Sequence, residues 1–220
     1  MEIKVLKNIL GANEQIAVQN HQLLNSKGIF AVNIMSSPGA GKTSLIVETI
    51  KALKGRARIG VIEGDVAGSV DAERVDKEQV PVIQINTGGQ CHLDANMVRN
   101  ALENLPLKDI DILFIENVGN LICTADFALG EHKKIVISSV PEGDDKPIKY
   151  PMIFHTADAV VINKIDLIPY VKYDLQAFLK GVRALNKSAE IFQVSCTTGW
   201  GVEEWACWLL NQKTAGKSPF

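Results

Sequence analysis

Between positions 36 and 43 the chain reads Ser36-Ser37-Pro38-Gly39-Ala40-Gly41-Lys42-Thr43, and few octapeptides restrict a fold so tightly. The apolar run Ile29-Phe30-Ala31-Val32-Asn33-Ile34-Met35 precedes it with the bulk of a buried strand, and Ser44-Leu45-Ile46-Val47-Glu48-Thr49-Ile50 follows with helical spacing. Strand, glycine loop and helix in that order point the first helical amides at a polyphosphate, with the positive end of the helix dipole behind them. The general pattern G-x-x-x-x-G-K-[ST] gives the lysine to the terminal phosphates and the hydroxyl to magnesium, roles that fall here to Lys42 and Thr43. Gly39, Ala40, Gly41 and Ser44 complete the expected cradle. Ser36 stands where the pattern begins with glycine, a departure that leaves the amides, the lysine and the threonine in place. A turn that merely contains Gly and Lys is the bland alternative, and the flanking strand and helix argue against it.

The rest of the chain supplies strands at about Arg58 to Ile62, Val80 to Ile85, Ile110 to Glu116, Ile135 to Val140, Ala159 to Asn163 and Glu190 to Val194. Helical stretches such as Asp94 to Leu105 and Tyr173 to Leu185 lie between most of them. The alternation predicts an α/β fold of the P-loop NTPase type, a mainly parallel seven-stranded sheet with helices on both faces. With 220 residues, 46% of them hydrophobic, one core is expected rather than two. The expected organisation is an N-terminal helical segment (1–27) packed on the flank, a nucleotide-binding domain (28–211) and a flexible tail (212–220), with Glu142 to Pro147 a solvated, mobile loop. A net charge of -2 provides no general attraction to nucleic acid or membrane. The absence of a membrane-length apolar run and of a signal-peptide pattern predicts a cytoplasmic protein whose four cysteines are not disulfides.

Val160-Val161-Ile162-Asn163-Lys164-Ile165-Asp166 is a strand running into Asn-Lys-x-Asp. The Asp166 carboxylate can accept from the ring N1–H and exocyclic amine of guanine, an arrangement adenine lacks, and a carboxylate left unpaired is costly. Asn163 is expected to brace the loop and Lys164 to lie along the base, with Ser195, Cys196 and Thr197 after a further strand near the base oxygen. For magnesium, Asp65, Glu116 and Asp71 join Thr43 as candidate oxygen ligands, Asp65 and Glu116 first. Gly119 is placed to sense the γ-phosphate. Catalysis falls to Lys42, Asp65 and Glu116. With no obvious glutamine or arginine finger in the sequence, GTP turnover to GDP is expected to be slow.

A second constellation stands apart: Cys91-His92 after one predicted strand and Cys123 seven residues beyond Glu116. Two thiolates and an imidazole suit zinc or nickel, and a second chain across a twofold axis would complete a tetrahedral site. Ordinary buried thiols beside a hydrogen-bonded histidine are the alternative; the short span to Glu116 favours the metal. Cys196 and Cys207 read as structural, His21 as a helix-face residue, and His132 and His155 as having no comparable company.

Taken together, the phosphate loop, Glu63-Gly64-Asp65, Asp71-Ala72-Glu73-Arg74, Asn86-Thr87-Gly88 with Cys91-His92-Leu93-Asp94-Ala95, Glu116-Asn117-Val118-Gly119-Asn120-Leu121 with Cys123, and Asn163-Lys164-Ile165-Asp166 resemble the HypB family. The resemblance runs from about Gly28 to Gly201. It implies a GTPase and nickel or zinc metallochaperone for [NiFe]-hydrogenase, with Cys91, His92 and Cys123 as metal ligands at the interface of a GTP-dependent homodimer. It further implies a HypA-like nickel chaperone and the hydrogenase large-subunit precursor as partners. The N-terminal stretch has neither the cysteine motif nor the histidine run of some members, so high-affinity nickel storage is not expected. No second lysine of the partition-ATPase kind precedes Lys42. Three other readings compete: a urease-type nickel maturation GTPase, in which Cys123 would be out of place; a P-loop small-molecule kinase, which would have no use for Asp166; and a metal-binding module with a vestigial nucleotide fold.

Overall fold

The computed structural model describes residues 9–65 and 70–215. Among them, seven strands form one sheet: β1 (Phe30–Ser36), β2 (Ile59–Asp65), β3 (Val82–Asn86), β4 (Ile112–Glu116), β5 (Lys133–Ser139), β6 (Ala159–Asn163) and β7 (Glu190–Gln193). Their order is β3-β2-β4-β1-β5-β6-β7, and every neighbouring pair is parallel. The helices are α1 (Ile9–Lys27), α2 (Lys42–Ala52), α3 (Val70–Asp76), α4 (Ala95–Asn104), α5 (Cys123–Asp126), α6 (Lys146–Lys149), α7 (Pro151–His155), α8 (Leu175–Leu185) and α9 (Val202–Ala215). The expected seven-stranded α/β architecture is therefore present, and the sheet is parallel throughout.

Parallel strands buried on both faces must be apolar on both, and β1 is buried at all seven positions. Its alternation divides the core: Phe30, Val32 and Ile34 pack with Leu45, Ile46 and Ile50 of α2 and with Trp205 and Leu209 of α9. Ala31 faces the opposite layer with Leu24 of α1 and Val98 and Leu102 of α4, while Met35 joins Phe154 and Phe178 of α7 and α8. Each fully buried Ile or Phe of this kind contributes about 1.5–3 kcal/mol. Trp205 keeps its polar end satisfied by donating Nε1–H to Thr49 Oγ1 at 3.0 Å.

Because β1 lies between β4 and β5, connections leave it toward both edges of the sheet, which opens a crevice beyond the carboxyl ends of the central strands. Register fills that crevice with acid: Ile34 pairs with Glu116, and Glu63 pairs with Glu116 across β2 and β4.

Within the expected N-terminal helical segment, α1 turns Asn13 and Asn20, seven residues apart on one face, inward. Asn20 Nδ2 donates to the carbonyls of Ala95 and Leu129 at 2.8 and 2.9 Å, and Asn13 Oδ1 accepts from Ala95 N–H at 2.7 Å. At the other end, the helix expected to give way to a tail at residue 212 continues as α9 to Ala215, where Lys213 Nζ pairs with Asp111 at 3.1 Å; residues 216–220 lie outside those described, as do residues 1–8 of the N-terminal segment. The 142–147 stretch is an ordered connection rather than a free loop: a 3-10 turn over Val140–Glu142 is closed by a capping box between Ser139 and Glu142, and α6 follows it directly. Finally, His132 has company, with its ring 4.5 Å from that of His21. It is a satisfied core histidine, accepting Ala31 N–H at 3.0 Å and lying 3.0 Å from Asn25 Oδ1; burial, helped by His21, pushes its pKa down to about 4.

Candidate nucleotide and metal sites

The phosphate loop leaves β1 and turns into α2 through Gly41, whose φ of +100° is a left-handed conformation that glycine tolerates. A Cβ there would also collide with Asn163 Nδ2, so the position is closed to side chains twice over. No side chain caps the start of α2, which leaves its first amides for an anion. Gly39, Gly41, Lys42, Thr43, Ser44, Asp71, Arg74, Glu116 and Lys164 line a cavity of about 240 Å³ in front of them.

Behind this cavity sits a carboxylate cluster. Thr43 Oγ1 donates to Glu116 Oε1 at 2.9 Å, and Lys42 Nζ stands 3.9 Å from the same oxygen. Glu63, Asp71 and Glu116 each offer an oxygen within 4.8 Å of the others'. Glu63 and Glu116 are 2% and 3% exposed, and among the described residues their Oε2 atoms have no hydrogen-bond partner. Burial, reinforced by Glu116, pushes Glu63 up to about 8; burial pushes Glu116 up to about 7 against the opposing pull of Lys42 and Thr43. Acids crowded at a phosphate cradle, two of them with a buried oxygen left without a partner, are a fit for a hard divalent cation. Asp65, the favoured candidate in the sequence, is not one of the three acids; it ends β2 beside them and acts on Glu63 through its charge. Glu63 takes that place because strand register carries it opposite Glu116. Its signal in the sequence was an acid directly after the apolar Ile59-Gly60-Val61-Ile62, one turn of the pleat before Asp65.

Arg74 was also missed. It packs on the same cavity, donating to Ser44 Oγ at 3.0 Å and to Asp71 Oδ1 at 3.2 Å.

At the base end, Asn163 Nδ2 donates to Ala40 O at 2.9 Å and Lys164 Nζ to Gly39 O at 2.7 Å, which ties the Asn-Lys-x-Asp segment to the phosphate loop. Asp166 Oδ1 is buried without a partner among the described residues. Cys196 faces the bracing residue, 3.5 Å from Asn163 Oδ1, and burial pushes its thiol up to about 11. Ser195 is buried and spent on its own loop, its Oγ accepting Thr198 N–H at 3.2 Å, while Thr197 is exposed.

Cys91, His92 and Cys123 come together as the sequence predicted, their donor atoms within 4.8 Å of one another. Cys91 Sγ lies 3.6 Å from His92 Nδ1, and the His92 ring stacks on Phe127 at 3.9 Å between centroids. Cys91 is exposed and the other two are half-buried, so the donors meet at the surface. Hydrogen bonding to Cys91, ahead of burial, raises the Cys123 thiol pKa, as expected of two sulfurs close enough to share a proton or a metal. The remaining cysteine, Cys207, lies 3.2 Å from Arg56 and 3.3 Å from Glu203, away from this group.

What this geometry defines is a P-loop nucleotide-binding protein with two cysteines and a histidine gathered at its surface. A family profile described as "CobW/HypB/UreG, nucleotide-binding domain" matches residues 30–193. Hydrogenase maturation factor HypB of Azotobacter vinelandii is 45% identical over 211 residues, 96% of this chain and 70% of that protein. Among solved structures, the HypB of Archaeoglobus fulgidus superposes with a TM-score of 0.87 at 41% identity, covering 92% of this chain and 99% of that one. The HypB of Helicobacter pylori in complex with nickel gives 0.89 at 36%, covering 95% and 100%. The chain belongs to the CobW/HypB/UreG family and, within it, to the HypB group.

Proposed function

We propose that this chain is a GTP-hydrolysing metallochaperone that hands nickel to the large-subunit precursor of [NiFe]-hydrogenase. The observation that carries the reading is the Cys91, His92 and Cys123 cluster, assembled seven residues past an acid that touches Thr43 and Lys42 of the phosphate loop. Soft donors at the surface suit a borderline ion that must be released, and zinc would fit the same set.

In this reading Gly39, Ala40, Gly41, Lys42, Thr43 and Ser44 hold the phosphates, and Asp166 reads guanine through its unpaired oxygen. Asn163 and Lys164 fasten the base segment to the loop. Thr43 and Glu116, with Glu63, Asp71 and the neighbouring Asp65, would hold magnesium, which supplies charge neutralisation on the phosphates. Lys42 and the α2 amides take up charge developing on the γ-phosphate during attack by an in-line water, and Arg74 stands at the rim where its positive charge helps to offset it. Gly119 packs on Pro38 and so senses the loop.

GTP closes two protomers across the exposed thiols, a second copy completing the metal's coordination; hydrolysis loosens that clamp. A HypA-like chaperone supplies the metal, and the cycle runs in the cytoplasm. Among the described residues no helix is long and apolar enough to cross a membrane.

The test is a nickel titration with GDP and with a non-hydrolysable GTP analogue, read together with molecular mass by light scattering. The expected result is a dimer with the analogue and a tighter metal site. If Cys123→Ala leaves the metal stoichiometry of the analogue-bound protein unchanged, the reading fails. Capture of urease accessory proteins in place of hydrogenase partners would redirect it to the other nickel enzyme.

A further inference from the structure

The two halves of the sulfur-rich site arrive on separate segments, and both segments are tied to one short turn, Glu116-Asn117-Val118-Gly119-Asn120. On the histidine side, the fully buried Asn117 accepts Leu93 N–H and Val118 N–H on Oδ1, each at 3.0 Å. On the cysteine side, Asn120 Oδ1 accepts the N–H groups of Ile122 and Cys123 at 2.7 and 3.2 Å. The turn also rests on the phosphate loop: a Cβ added at Gly119 would lie 2.9 Å from both Cα and N of Pro38.

Leu93 follows His92 directly and is fully buried. Its side chain fills the space over Gly64, where an added Cβ would meet Leu93 Cγ at 2.8 Å. Leu93 is thus held by β4 through its backbone and against β2 through its side chain, at the ends of the two strands whose acids face Lys42 and Thr43. Asn117 is itself held in orientation: Nδ2 donates to Asn33 Oδ1 at 3.2 Å, and Asn33 Nδ2 donates to Glu131 Oε1 at 3.4 Å. The Asn33 contact fixes which end of the amide faces Leu93, and the Oδ1 contacts are the ones that join Leu93 to the turn.

We propose that Asn117 is the positioning residue that couples the phosphate site to the metal donors. It keeps the His92 loop in register with the turn after Glu116, so a shift of that turn on exchange of triphosphate for diphosphate moves His92 and Cys123 together. The inference rests on the reading above that GTP and metal occupy one molecule. Asn117 contacts neither the phosphate cavity nor a metal donor atom; it acts through Leu93.

The test measures nickel dissociation constants of the full chain with GDP and with a non-hydrolysable GTP analogue, and takes their ratio. Coupling of ordinary size gives a ratio of about 5–150 in the unmodified chain. In Asn117→Ala the ratio falls to about one, while both nucleotide affinities measured without nickel stay within about threefold of the unmodified chain; by reciprocity, only the nickel-loaded protein loses its preference between the two nucleotides. Asn117→Asp keeps the acceptor contacts to Leu93 and Val118 and retains the ratio. Asn33→Ala, a truncation at an equally buried site that leaves the Leu93 contact in place, retains it as well, which a purely structural role for Asn117 does not predict. If Asn117→Ala does not fold, amide hydrogen exchange at Leu93 in the unmodified chain decides: different rates with the two nucleotides support the coupling, and equal rates overturn it. Survival of the full ratio in Asn117→Ala sinks this inference alone, whereas a ratio of one in the unmodified chain sinks the coupled reading beneath it.

Discussion

Among the described residues there are two groups of three potential metal ligands, each with donor atoms within 4.8 Å, and they are opposites. Glu63, Asp71 and Glu116 are hard oxygens, two of them buried on strands; Cys91, His92 and Cys123 are soft donors, one exposed and two half-buried, on a loop and at the start of α5. Sheet register fixes Glu63 opposite Glu116, and α3 brings Asp71 to them. Side-chain hydrogen bonds from Asn117 and Asn120 hold the second, so its geometry follows the turn that carries them. Under the proposed function, the buried hard group serves an ion that arrives with a phosphate and stays through the reaction, and the open soft group serves an ion that is passed on.

The largest effect that would separate the two is expected from Lys42→Ala: GTP binding falls about 1000-fold, since charge-assisted bonds to phosphate are worth about 1.5–3 kcal/mol each. Nickel binding without nucleotide should be unaffected, and loss of both in fluorescence and metal titrations would mean the sites are not separable. Next, Cys123→Ala should weaken nickel by about 100-fold, roughly one ligand's share of a soft-metal site. Its GDP affinity stays at the unmodified value. Asp166→Asn comes third, costing about 2 kcal/mol, or about 30-fold, in GTP affinity by removing the acceptor for two guanine donors. An unchanged preference for GTP over ATP in that variant would remove Asp166 from the base site.

A smaller effect concerns pH. Glu63 in the fold holds its proton up to about 8, whereas in the unfolded chain it releases it near its ordinary value of 4.5. Folding therefore takes up a proton between those values, and this contribution to stability is fully present below the lower one and is lost as pH rises toward 8. The melting temperature of the nucleotide-free protein should fall between pH 6.5 and 8, and Glu63→Gln should flatten the fall. A steeper fall in the variant would contradict the buried-acid account. The smallest effect is at the edge of the open site: Asp94 caps α4 by accepting Met97 N–H at 2.8 Å, and Asp94→Ala should cost about 1 kcal/mol in denaturant unfolding.

Chain order alone determined the architecture. Seven apolar runs alternating with helical stretches admit little besides a parallel sheet, and Ser36 to Thr43 between the first run and its helix locates the phosphate end, because these signals are local in sequence. Spacing likewise placed Cys91, His92 and Cys123 at carboxyl ends of strands where they could meet. What the tertiary structure decided was which polar groups face one another. Glu63 rather than Asp65 joins Asp71 and Glu116 because β2 and β4 pair in that register. Ser195 Oγ accepts Thr198 N–H because its loop folds back onto it. Asn13 and Asn20 look like surface residues of α1, yet they are bound to backbone carbonyls and amides from distant parts of the chain. A buried amide and an exposed one are the same letter. Only the arrangement of strands and loops that surrounds it supplies the partners that make burial affordable.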